Sequence, residues 1–168
     1  MRKAVCSTPV LRYYDVHEEV TLQCDASQFG LGAALLQQGQ PVAFASRALS
    51  PAETRYAQIE KELLAIVFTC QHFDLYVFGR EKVTVHTDHK PLECIMSKPL
   101  HNAPKRLQRM LLHLQRYTLQ VEYRRGKEMH LADTLSRAPV REEAASCKVI
   151  EELSEVNHTV ALPVCEER

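Results

Sequence analysis

Val20-Thr21-Leu22-Gln23-Cys24 alternates apolar and polar side chains, and this period of two predicts a strand that runs up to Asp25. After the turn-like stretch Ala26 to Gly30, Leu31 to Gln37 predicts a second strand. Gln38-Gly39-Gln40-Pro41 supplies a turn, and Val42 to Leu49 a third strand, completing an antiparallel meander. Ser50-Pro51-Ala52-Glu53 carries the marks of a helix start: a serine cap, proline in the first turn and a glutamate that closes a capping box. Ile59, Leu63, Ile66, Val67, Cys70 and Phe73 fall at helical spacing, which predicts one long helix to about Phe78, stopped by Gly79. Lys82 to Thr87 alternates again as a fourth strand that reaches Asp88. A short helix from His89-Lys90-Pro91 to about Met96 follows, then a helix over Ala103 to Gln115 with Leu107, Met110, Leu111 and Leu114 on one side. Tyr117 to Tyr123 predicts a fifth strand, Arg124 to Lys127 a loop, and His130 to Ser136 a last short helix.

Three strands, a helix, a strand, helices, a strand and a helix make an α/β fold built on a five-stranded mixed sheet flanked by helices. The connection from an early strand through the long helix to the fourth strand has to be a crossover, so it joins a parallel pair. If strands one and four are neighbours, Asp25 and Asp88 emerge side by side at one sheet edge, where α/β folds place their chemistry.

Length and composition narrow the class. A chain of 168 residues has room for one core and a tail. Lys+Arg and Asp+Glu both total 21, but the zero net charge is a cancellation. Lys98 to Lys127 holds eight basic residues against the single acid Glu122, whereas Ala138 to Arg168 holds seven glutamates against three basic residues. The six cysteines form no close pairs, so neither a zinc module nor a disulfide framework is predicted; Cys24 and Cys70 read as small core residues. No apolar run approaches the ~20 residues that span a bilayer, and Met1 to Cys6 has no extended apolar core of a secretion signal, so a reduced, intracellular setting is expected.

The candidate chemistry is carried by carboxylates. Asp25, Glu62, Asp88 and Asp133 sit far apart in sequence, each where a strand or helix can aim it at one point. Gathered carboxylates repel one another, and a fold keeps them mainly where cations neutralise them. Spacing alone leaves Glu60 and Glu62 flanking the apolar stripe almost equally, and Asp133 has a structural alternative in a cap or an ion pair with Arg137. His86 and His89 flank Asp88 but lack a third soft ligand, so an oxygen-only set suits Mg²⁺, or Mn²⁺, better than zinc. Lys90, Lys105, Arg124, Arg125 and Lys127 are candidate phosphate contacts, which position a duplex without reading its sequence.

Four ordered motifs carry a resemblance: Leu22-Gln23-Cys24-Asp25-Ala26-Ser27, Ile59-Glu60-Lys61-Glu62-Leu63-Leu64-Ala65-Ile66, His86-Thr87-Asp88-His89-Lys90-Pro91-Leu92, and Gly126-Lys127-Glu128 through Ala132-Asp133-Thr134-Leu135-Ser136-Arg137. Together they resemble the ribonuclease H domain of gypsy-like LTR retrotransposon reverse-transcriptase polyproteins, from about residue 4 to residue 138. The resemblance implies a ribonuclease H-like fold and metal-dependent hydrolysis of the RNA strand of an RNA–DNA hybrid. It implies two Mg²⁺ ions on Asp25, Glu62, Asp88 and Asp133, and it selects Glu62 over Glu60 because Leu-x-Ala-Ile follows. Ser27 and Gln28 are candidates to contact the RNA 2′-hydroxyls.

On this resemblance residues 1–19 are the end of the reverse-transcriptase connection, 20–138 the ribonuclease H domain, and 139–168 an acidic linker toward integrase, disordered on its own. The reverse-transcriptase and integrase portions of one polyprotein are then partners, in the cytoplasm, virus-like particles or the nucleus. Cellular enzymes of the class carry a loop histidine some ten residues before the last carboxylate; this chain offers Tyr123 or Arg124 there, and His130 closer to Asp133, as candidates for its proton-shuttling role. Met129 also stands where the pattern has Asn. Two rivals are a catalytically silent scaffold that binds nucleic acid or protein, and a transposase or integrase core. The latter needs a glutamate on a helix about 35 residues past the second aspartate, where this chain has Glu122 on a predicted strand.

Overall fold

The computed structural model describes residues 11–96 and 103–138. The expected acidic linker at 139–168 and the first half of the expected connector lie outside them. Strands β1 (Val20–Ala26), β2 (Gly30–Gln37), β3 (Gln40–Ala48), β4 (Val83–Thr87) and β5 (Leu119–Tyr123) form one sheet in the order β3-β2-β1-β4-β5. The meander is antiparallel, while β4 runs parallel to both β1 and β5, as the crossover rule requires.

The helices are α1 (Gln58–His72), α2 (Asp74–Val77), α3 (Pro91–Met96), α4 (Lys105–Leu114) and α5 (His130–Arg137). The sheet lies between α1 and α5. Adjacent residues of β1 show it: the Cys24 thiol meets Thr69 of α1, whereas the Asp25 carboxylate meets Ser136 of α5. Leu22, Leu63, Ile66, Val85 and Leu114 are fully or almost fully buried in the core on the α1 side, and Cys24 and Cys70 are free thiols buried with them.

The single helix expected from Pro51 to Phe78 is instead three pieces. The Ser50–Glu53 capping box forms, with Glu53 Oε2 accepting the Ser50 N–H at 2.8 Å, but it closes only a 3-10 turn at Glu53–Arg55. Ala57 then turns extended (φ −59°, ψ 153°), and Glu60 accepts the Ala57 N–H at 3.0 Å, a second start signal that opens α1. At the other end Phe73 interrupts the helix before the short α2, and Gly79 ends it at φ +77°. Strand β5 likewise starts at Leu119, because Tyr117 is buried with its hydroxyl donating to Asp74 Oδ1 at 2.5 Å.

Residues 12–18 are tied to the domain body. The buried Gln37 amide accepts the Asp15 N–H at 2.9 Å and donates to the Asp15 and Glu18 carbonyls at 2.6 and 3.2 Å. Arg80 donates to the Glu18 and Val16 carbonyls at 2.8 and 3.1 Å. Gln37→Leu keeps the volume but strands these backbone groups, at a cost of about 2 kcal/mol. The expected result is a melting temperature lower by roughly 5–10 °C, read by thermal denaturation.

Candidate metal centre

Asp25, Glu62 and Asp88 converge. Each offers a carboxylate oxygen, and these oxygens lie within 4.8 Å of one another. The β1–β4 register pairs Gln23 with His86, and carried two residues further it sets Asp25 beside Asp88 where the chain leaves β4. Glu62 enters from α1, only 3% exposed, while Glu60 turns to Arg106, which it meets at 2.9 Å. The two glutamates that spacing could not separate are therefore in different places: one in the cluster, one on the helix flank.

The same cleft, of about 400 Å³, is lined also by Ser27, Gln28, Phe29, Gln58, Asp133 and Arg137. Asp133 lines the cleft but lies outside the three-carboxylate group, and its Oδ1 lies 2.7 Å from Arg137 Nη2, so the i,i+4 ion pair expected from the sequence is formed. Asp25, 7% exposed, has its carboxyl pushed up by burial and by the charges of Asp88 and Asp133; the Ser136 hydrogen bond and Arg137 act the other way. Glu62 is pushed up to about 8, first by burial and then by Asp25 and Asp88. Gln58 donates to Glu62 Oε1 at 2.5 Å, but buried Oε2 has no hydrogen-bond partner. A buried glutamate with one unpartnered oxygen, grouped with two further carboxylates, is a ready ligand for a hard cation, so the residues present fit Mg²⁺ or Mn²⁺. Among the described residues neither His86 nor His89 joins such a cluster; His86 lies 3.8 Å from Glu122 instead.

The remaining sequence candidates surround the site unevenly. Ser27 lines the cleft, but its hydroxyl donates to the Ser136 carbonyl at 2.6 Å and receives the Gly30 N–H at 3.0 Å, building the turn that leaves Gln28 exposed. Lys90, Arg124 and Arg125 are exposed. The Arg124 N–H bonds the Thr87 carbonyl at 2.9 Å, and Gly126 packs against Asp88, so the basic loop sits next to the cluster. Lys127 falls in the 3-10 turn at Gly126–Glu128. Lys105 opens α4, outside the cleft lining. Tyr123 and His130 are exposed, neither among the lining residues. Gln58 and Ser136 escaped the sequence reading. Gln58 lies one turn before Glu62 and Ser136 one turn after Asp133, a spacing that would have marked both as neighbours.

A mixed five-stranded sheet in this order, with a carboxylate cluster at the β1–β4 edge, defines a ribonuclease H-like fold. Solved structures agree on the fold. The N-terminal RNase H domain of a Mycobacterium tuberculosis protein superposes with a TM-score of 0.58 at 16% identity, over 72% of this chain and 92% of that one. The foamy viral protease-reverse transcriptase, solved in complex with RNA/DNA hybrid, gives 0.57 at 18% identity, over 68% of this chain and 16% of that one. Residues 15–117 match the family described as the RNase H-like domain found in reverse transcriptase, and the chain belongs to that family.

Its relatives include the retrovirus-related Pol polyproteins of the Drosophila melanogaster transposons 297 (35% identical over 98% of this chain) and 412 (37% over 84%). The chain spans only 16% and 12% of those polyproteins. Among the described residues no helix is long and apolar enough to cross a membrane.

Proposed function

We propose that this chain hydrolyses the RNA strand of RNA–DNA hybrids during reverse transcription of a retrotransposon, beside the reverse-transcriptase and integrase portions of the same polyprotein. The observation that carries this reading is the convergence of Asp25, Glu62 and Asp88, together with a buried Glu62 oxygen that has no hydrogen-bond partner. These three carboxylates would hold one Mg²⁺, and Asp25 with Asp133 a second. When bound, such a pair supplies a nucleophilic water at neutral pH and neutralises the charge that grows on the leaving oxygen.

The chain's own groups do the rest. Gln58 fixes one oxygen of Glu62 and leaves the other without a hydrogen bond, free to take a cation. Exposed Gln28 and Phe29 line the cleft, where Gln28 contacts the 2′-hydroxyls that separate RNA from DNA. Lys90, Arg124 and Arg125 flank Asp88 and take the phosphates, with Lys105 and Lys127 further contacts along the duplex.

Cleavage of a fluorescent RNA–DNA hybrid by the full chain, with Mg²⁺ and with EDTA, tests the reading. Mg²⁺-dependent cleavage that Asp88→Asn lowers by about a thousandfold or more is expected. No cleavage by a folded chain that still binds the hybrid favours the silent scaffold, and undiminished cleavage by Asp88→Asn removes the metal assignment.

A further inference from the structure

Ser136 is fully buried on α5, and its hydroxyl donates to Asp25 Oδ2 across 111 residues of chain. Its other polar contacts face the same place. The hydroxyl also lies 3.0 Å from the Asp133 carbonyl one turn earlier, and the Ser136 carbonyl accepts the Ser27 hydroxyl at 2.6 Å. Backbone reinforces this seat. Gly32 pairs with Asp25 across β2, and a Cβ there would come within 2.2 Å of the Ala132 carbonyl and 2.4 Å of the Ser136 nitrogen. The α5 backbone therefore rests directly on β2, with Ser136 over the one strand residue that belongs to the carboxylate cluster. A side chain that only filled space here needs no hydroxyl, and an apolar one would leave Asp25 Oδ2 without this donor.

We infer that Ser136 is a positioning residue for the metal centre. Its hydroxyl holds the Asp25 carboxylate in one orientation, and the turn from Asp133 to Ser136 sets how far the Asp133 carboxylate stands from Asp25. The inference rests on the metal-dependent reading above and adds to it a group that touches neither ion nor substrate. Groups that orient a ligand from behind govern affinity for the metal, and their loss weakens it about 10–100-fold. The effect falls on how much Mg²⁺ the enzyme needs more than on the rate once the ion is bound.

The test uses the whole chain as wild type, Ser136→Ala, Ser136→Cys and Thr134→Ala. Thr134 donates to the His130 carbonyl at 2.7 Å on the same helix and is the control for general weakening of α5. Calorimetry measures Mn²⁺ binding, and hybrid cleavage is followed across Mg²⁺ concentrations. In Ser136→Ala, folded by circular dichroism, Mn²⁺ affinity should fall about tenfold or more, with a matching rise in the Mg²⁺ needed for half-maximal cleavage. The rate at saturating Mg²⁺ should stay within about threefold of wild type. If Ser136→Ala does not fold, Ser136→Cys decides by the same readings, since the thiol is of similar size and a weak donor. Wild-type metal affinity in the serine variants overturns the inference, and so does an equal loss in Thr134→Ala. A wild-type chain that neither binds Mn²⁺ nor cleaves overturns the metal-dependent reading as well, which separates the two failures.

Discussion

Glu62→Gln is expected to abolish hybrid cleavage and at the same time to raise the melting temperature of the metal-free protein at pH 8. Both effects have one cause. Glu62 is almost wholly buried, one of its oxygens has no donor, and Asp25 and Asp88 face it. Its folded pKa of about 8 stands above the ordinary value of 4.5, so between those pH values the folded chain holds a proton that the unfolded chain has released. Stability from this group is complete below about pH 4.5 and is lost as pH rises toward 8. Glutamine carries no charge to bury, and it still offers an oxygen to Gln58. The gain at pH 8 is on the order of a few kcal/mol, or roughly 5 °C or more in melting temperature. Melts from pH 5 to 9 in EDTA should show the wild type losing stability with rising pH and the variant losing less. Added Mg²⁺ should reverse the ranking, because binding to the folded state stabilises only a chain that retains its ligands. A variant less stable than wild type at pH 8 in EDTA would mean that the carboxylates are not in conflict.

The same cluster shows what could be read from sequence and what could not. Alternation and turn signals mark all five strands, and the crossover rule requires a parallel pair, because both depend on local pattern and chain connectivity; that β4 lies beside β1, which sets Asp25 next to Asp88, is seen only in the fold. Glu62 was different. Periodicity could not separate it from Glu60, since the choice depends on where α4 packs: Arg106 captures Glu60 and stacks over Tyr56 at 4.1 Å. One long helix does not form because Ser50–Glu53 and Ala57–Glu60 are both valid start signals, and tertiary contacts decide which one a helix follows. The candidate phosphate contacts Lys105, Arg124, Arg125 and Lys127 all come from the basic stretch that begins at Lys98. Among the described residues, Arg106 pairs with Glu60 and Arg116 with Asp74, away from the cluster, whereas the loop that carries Arg124 and Arg125 adjoins Asp88, with Arg124 also near Glu122. Spacing one turn after Asp133 marks Ser136 as a neighbour of the site, but its bond to Asp25 is beyond sequence, because it joins residues 111 apart and is met only when α5 docks on the sheet.

That docking sets the second large effect. Gly32→Ala is expected to destabilise the domain and to remove most cleavage, although Gly32 carries no chemistry. Gly32 sits mid-strand in β2, and its need for no side chain comes from contact, not from its backbone angles. A Cβ would lie 2.2 Å from the Ala132 carbonyl and 2.4 Å from the Ser136 nitrogen, both backbone atoms that no rotamer change can move. The helix must lift by about an ångström or the strand must bend, at about 1–3 kcal/mol or more, which is roughly 5–15 °C of melting temperature. Lifting α5 also breaks the Ser136 bond to Asp25 and the Ser27 bond to the Ser136 carbonyl, and it carries Asp133 away from the cleft. Activity should then fall further than stability alone explains, and at a temperature where the variant is still fully folded. Gly39→Ala is the matched control. That glycine is at φ +74° in the β2–β3 turn with open space around it, so alanine there pays only backbone strain, about 1 kcal/mol, and should leave cleavage at the wild-type level once folding is corrected for. Melting curves and hybrid-cleavage rates on the two variants side by side decide the matter: equal losses in both would show that α5 is not held to Asp25 by its close approach to β2.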